Sequence, residues 1–216
     1  MYCPSNFHAP NHRAMVELID GAPLATLVLQ SNQGLQAEHL PMMLVEEGDG
    51  RRRLLAHVAR ANPVWRAAGA GSPALAVFQR DSHYVSPGWY PSKQRHGKVV
   101  PTWNYCVVHA HGVLRAVEDR AWLHDFLTAL TARQERTSAS PWRIDDAPAD
   151  YIERMLAAVV GVELTVERLE GKWKLSQNRS LEDREGVIAA LDGLGSGAAA
   201  SMANVMKCGG DRTSGE

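Results

Sequence analysis

The sequence predicts a mainly β protein with inserted helices, built as a small closed or partly split β-barrel. Two observations carry that expectation. Six short runs rich in apolar and β-branched residues are bounded by turn signals, and they come as hairpins with irregular helical connections, not as regular β-α-β units.

Asn11 can cap a helix over about His12 to Ile19, with Met15, Val16 and Ile19 on one face and Gly21 as its stop; its place suits a lid or edge helix. Leu24 to Gln30 is a strand between Pro23 and a polar turn, and His39 to Glu46 is its expected hairpin partner. Pro41 has no N–H for a ladder, so that second strand runs along an edge or carries a bulge, where freed backbone groups are open to a ligand. Arg53 to Val58 reads as a third strand, and Asn62-Pro63 as a helix start. Between them Arg60 is either a phosphate-holding cation, helped by a helix N-terminus, or a surface residue at a helix entry.

Gly69 to Ala74 matches G-x-G-x-x-A in form only. It leaves a helix and opens the strand Ala74 to Gln79, the reverse of a dinucleotide fingerprint. Ser86 to Pro101 is proline-rich and reads as irregular and too polar for core. From Trp103 a strand alternates: Trp103, Tyr105, Val107, His109 and His111 share one face, and the small residues Asn104, Cys106, Val108 and Ala110 the other, which is the expected core side. The histidine face can line a pocket, coordinate a metal or meet a partner subunit. No carboxylate lies in the stretch to complete a metal site, so none is assigned.

Asp119 caps a helix with an apolar stripe of Trp122, Leu123, Phe126, Leu127 and Leu130. Pro148 opens another helix, with Ile152, Met155, Leu156 and Val159 expected inside, and Gly161 marks the switch to the strand Val162 to Glu167. Ser180, with Asp183 three residues on, caps a last helix through Leu191. The small and polar residues from Gly193 onward read as disordered. One domain over residues 1–191 and a tail over 192–216 are therefore expected.

Charge points to function more than composition does. The formal net charge of −1 gives no bulk attraction to nucleic acid or to an anionic membrane, and no basic recognition helix is visible. No Asp or Glu occurs between Asp81 and Glu118. That window holds Lys93, Arg95, Lys98 and Arg115 among tryptophans, tyrosines and prolines. Aromatic walls with unopposed cations suit a planar, anionic small molecule. Gly171 to Arg179 repeats the composition, basic and aromatic with no acid. Three widely spaced cysteines outside any CxxC pattern fit a reducing compartment, and neither a signal peptide nor a membrane span is visible, so a cytoplasmic protein is expected.

The residues 56–63 (AHVARANP), 89–93 (WYPSK), 96–105 (HGKVVPTWNY), 108–112 (VHAHG) and 171–179 (GKWKLSQNR) resemble the PaiB-type FMN-binding negative transcriptional regulators, across about Met1 to Leu191. That family is similar to the FMN-binding split barrels related to pyridoxamine-phosphate oxidase. The resemblance implies a six-stranded split barrel of Greek-key type, an FMN cofactor and a homodimer with flavin at the subunit interface. By position it implies that His57, Arg60 and Asn62 hold the FMN phosphate. It assigns Lys98, Thr102, Trp103 and Asn104 to further phosphate and ring contacts, and backbone contacts to the ring to Met42 and Met43. Trp173, Lys174 and Gln177 would reach into the partner's site. Arg60 and Lys98 carry the assignment, because a dianionic phosphate requires cations. No catalytic residue is identified. The alternatives are an FMN-dependent oxidoreductase and a haem- or metal-binding split barrel using His109 and His111.

Overall fold

The computed structural model describes residues 1–210, and the end of the expected tail, 211–216, lies outside the described residues. Its contacts divide the chain into two compact units: residues 1–21, 79–109 and 170 onward form one, and residues 22–78 and 110–169 the other. Three of the four dividing lines fall inside long strands, and neither unit is a continuous stretch of sequence. Among the described residues no helix is long and apolar enough to cross a membrane.

The second unit, 22–78 with 110–169, takes part of its chain from each of seven strands: β1 (Leu24–Ser31), β2 (Gly34–Pro41), β3 (Met43–Glu46), β4 (Arg52–Ala59), β5 (Ser72–Val85), β6 (Thr102–Val117) and β7 (Val159–Lys174). Their order is β2-β1-β5-β6-β7-β4-β3. The strand expected over His39 to Glu46 is in fact two. Residues up to Pro41 pair with β1, Leu24 standing opposite Pro41, while Met43 to Glu46 pair with β4, Met43 opposite Leu55. Pro41 cannot donate to a continued ladder, and the chain changes partner there, which makes seven strands where six were expected.

Alternate residues of β1 (Ala25, Leu27, Leu29) are buried together with Leu54, Ala56 and Val58 of β4 and Val160, Val162 and Leu164 of β7. Gly112 is required by close approach: a Cβ there would lie 1.9 Å from the carbonyl oxygen of Thr165. Of the helices, α2 (Val64–Ala68) is short. α4 (Arg120–Gln134) is capped as expected, Asp119 accepting from the Trp122 N–H at 2.8 Å, and buries Leu123 and Phe126. α5 (Ala149–Ala157) buries Leu156 alone; Met155 is exposed, contrary to its place in the predicted stripe.

In the first unit, α1 (His12–Gly21) begins with the Ala14 N–H donating to Asn11 Oδ1 at 2.9 Å. The stretch read as irregular holds a helical turn at Pro87–Trp89 and α3 (Ser92–His96), and it buries Tyr90 and Ser92. Ser92 is inside because Asp183 holds both its N–H, at 3.0 Å, and its hydroxyl, at 2.8 Å. Asp183 belongs to α6 (Leu181–Gly193), which Ser180 caps. The expected disorder beyond Gly193 does not hold for α7 (Gly197–Gly210). That helix packs on α6 and buries Ala199, Met202, Ala203 and Met206. Those positions follow the i, i+3, i+4, i+7 pattern of one helical face, a signal hidden by the alanine- and glycine-rich composition around it.

Candidate functional site

The sequence-predicted residues divide between the units. In the second unit, β4 carries His57 and runs out toward Arg60 and Asn62, while Met42 and Met43 sit at the crossing from β2 to β3. The His57 ring meets Phe126 edge-on, with centroids 6.1 Å apart, and Phe126 in turn stacks on Trp122. Burial lowers the pKa of His57, which favours a neutral ring, and its buried Nδ1 has no partner among the described residues.

Arg60 is held by its own chain through all three guanidinium nitrogens. Its Nε donates to the Ala157 carbonyl at 2.9 Å, Nη2 to the Val159 carbonyl at 3.2 Å and Nη1 to Glu118 at 2.7 Å. The guanidinium thus clamps the junction between α5 and β7. Asn62 Oδ1 accepts the Val64 N–H at 2.9 Å. The Met42 N–H, expected to be free at a bulge, donates to Pro23 at 2.8 Å.

The first unit brings three predicted residues into contact. Lys174 Nζ donates to the Thr102 hydroxyl and, at 2.8 Å, to the Trp103 carbonyl. Alternation along β7 puts Lys172 on the same face two residues earlier, and the two ammonium groups lie 5.4 and 6.0 Å from the ring centre of Tyr105. Desolvation lowers the pKa of Lys174, and Lys172 and Arg179 push it further in the same direction. No carboxylate pairs with Lys172, Lys174 or Arg179 among the described residues. Beside this cluster the Trp103 ring is 56% exposed and meets Tyr84 edge-on at 6.1 Å. Lys98 is exposed on the loop before β6.

The other predicted residues of this unit are built into the fold. Asn104 is fully buried, exchanging hydrogen bonds with Ser176 Oγ and donating to Met206 Sδ at 3.4 Å. Gln177 closes the turn after β7, its amide donating to the Trp173 carbonyl at 2.5 Å and its oxygen accepting the Leu175 N–H at 2.6 Å. Sequence reasoning put Tyr105 on a face that can line a pocket but gave no role to Lys172 or Arg179, although the two-residue spacing of Lys172 and Lys174 was available to find the first of these.

For a flavin phosphate the residues fit in one unit better than in the other. A carboxylate beside a cation competes with an anionic ligand: Arg60 already bonds Glu118, whereas Lys172 and Lys174 pair with no carboxylate among the described residues. The exposed Trp103–Tyr84 pair offers an apolar wall of the kind a planar ring stacks on.

A mainly β sheet of this order, with helices inserted between hairpins, defines the split-barrel class of flavin-binding folds. Two solved structures share the fold: the FAD and heme binding protein of Mycobacterium smegmatis, with a TM-score of 0.60 and 19% identity over 85% of this chain and 79% of that one, and the flavocytochrome Anf3 of Azotobacter vinelandii, at 0.57 and 15% over 83% and 75%. The chain belongs to the family described as "Putative FMN-binding domain", whose model matches residues 1–168. It is 30% identical to the protease synthase and sporulation protein PAI 2 of Bacillus subtilis, over 96% of this chain and 97% of that protein. It is also 31% identical to an uncharacterized protein of Emericella nidulans, over 88% and 90%. The resemblance carried by the long tryptophan-containing stretches is thus family membership.

Proposed function

We propose that this chain is a cytoplasmic, homodimeric FMN-binding protein with a regulatory role. The observation that carries the reading is the pair Lys172 and Lys174, neither joined to a carboxylate among the described residues, beside the exposed Trp103–Tyr84 pair. Lys174, fixed by Thr102 and the Trp103 carbonyl, would hold the phosphate, with Lys98 reaching in from its loop, and Trp103 would face the ring system. Bound flavin supplies hydride and electron transfer. The protein's part is to orient it, to neutralise its phosphate and to shelter one face of the ring.

Family membership supports FMN as the flavin. The regulatory role draws on the Bacillus subtilis relative, named for protease synthesis and sporulation, and is read as indirect, through the state of the flavin. The purified protein is expected to be yellow and to release FMN on denaturation; a colourless protein that leaves the fluorescence of added FMN unchanged overturns the reading. Light scattering on a sizing column is expected to give twice the 23.7 kDa chain mass. Rapid bleaching of the flavin by NADH or NADPH would replace regulation with an oxidoreductase activity.

A further inference from the structure

Helix α4 buries Leu123 and Phe126 on one side. Elsewhere on its surface His124, Thr128 and Thr131 recur at intervals of four and three, and Glu135 follows four residues on, so that the four form one polar stripe. The stripe is one wall of a cavity of about 460 Å³ in the second unit, and residues 141–145 supply the facing wall. A space of this size falls in the range of small-molecule sites, roughly 300 to 1,000 Å³.

That facing segment is pinned by its backbone. The Trp142 N–H donates to Glu135 Oε2 at 3.2 Å and the Arg143 N–H to Asp146 Oδ2 at 2.8 Å, while Ile144 is buried. The Trp142 side chain is nevertheless left 45% exposed, so its ring lines the cavity without filling it, and Pro141 lines it too. Arg136 and Arg143 border the same space. Arg136 Nε donates to the Arg133 carbonyl at 3.2 Å, and neither guanidinium pairs with a carboxylate among the described residues, although Glu135 and Asp145 also line the cavity. One cavity thus joins an aromatic wall to two guanidinium groups with donors to spare.

We propose that this cavity binds a planar aromatic carboxylate other than the flavin. The ring lies against Trp142 and Pro141, the carboxylate takes paired donors from Arg136 or Arg143, and the hydroxyls of Thr128 and Thr131 meet polar substituents from the helix side. The two acids decide between a carboxylate and a phosphate ester. Glu135 and Asp145 balance the formal charge of the two arginines, and a single negative charge tolerates that balance better than the double charge of a phosphate monoester. None of the twelve residues assigned to the flavin lines the cavity, so the site stands whether or not flavin is bound.

The test is a calorimetric titration of the full chain, as purified and again in excess FMN, with naphthoate and with naphthyl phosphate as probes. Naphthoate is expected to bind saturably, with the same affinity in both conditions and more tightly than naphthyl phosphate. Trp142→Ala is expected to weaken it at least tenfold, and Arg136→Gln with Arg143→Gln in one chain by at least as much. All three side chains are exposed, so the unfolding midpoints of these variants are expected to match the parent; should Trp142→Ala fail to fold, the arginine pair decides. The proposal is overturned if naphthoate gives no saturable heat, or if its affinity is unchanged in Trp142→Ala or in the paired glutamine variant. Tighter binding of naphthyl phosphate overturns the assignment to a carboxylate. Displacement of naphthoate by FMN would make the cavity part of the flavin site and end the claim to a separate ligand.

Discussion

In the second unit Arg60 spends all three guanidinium nitrogens on the Ala157 and Val159 carbonyls and on Glu118. In the first unit Lys174 rests on a hydroxyl and a carbonyl, beside Lys172 and Arg179, and pairs with no carboxylate among the described residues. Both are cations near a strand end; Arg60 was expected to hold a phosphate, and Lys174 to reach into the partner's site. Position in a motif marks a cation as present; whether it can take a ligand depends on what else already holds it.

Substitutions can break this contrast. Arg60→Ala is expected to have the largest effect, a loss of about 2 kcal/mol in stability from the charged hydrogen bonds it removes, measured by urea unfolding, with FMN affinity of the folded fraction unchanged. A stable Arg60→Ala protein that loses FMN would reverse the assignment of the two units. Lys174→Ala is expected to do the opposite, keeping the unfolding midpoint and weakening FMN binding about tenfold, or ~1.4 kcal/mol, in a fluorescence titration. Lys98→Ala, on its exposed loop, should lower affinity less.

Smaller effects follow from protons. Desolvation and neighbouring cations lower the pKa of Lys174 below the ordinary 10.5, so the charge that attracts phosphate is lost earlier as pH rises. FMN affinity is expected to fall on the alkaline side before exposed lysines titrate, and Lys174→Arg to remove that fall. For His57 burial lowers the folded-state pKa below the unfolded 6.5. The unfolded chain therefore binds a proton first as pH drops: the stability is intact above 6.5 and declines down to the folded pKa. Unfolding midpoints measured on either side of pH 6.5 should show this slope, and His57→Phe should flatten it.

What the sequence could reveal depended on how far each cause lay along the chain. The caps by Asn11, Asp119 and Ser180 were legible because each reaches an N–H only three residues away. The small face of β6 was legible by alternation, and Asn104, Cys106, Val108 and Ala110 are all buried. The break after Pro41 was half visible: proline predicts an interrupted ladder, but the new partner, β4, is a tertiary choice. The bonds of Arg60 were not legible because the carbonyls it donates to stand 97 and 99 residues on. Helix α7 escaped because its apolar face is made of alanine and methionine spaced among residues that read as a linker.

The division of the chain also sets an order of synthesis. All of the second unit lies between residues 22 and 169, so every one of its segments has been made before the first unit receives its last portion, from 170 onward. Met206, the residue whose sulfur meets Asn104, is added 102 positions after it. On a ribosome adding roughly 5 to 20 residues per second, Asn104 waits several seconds for that partner. The cation cluster lies in the unit that is finished last.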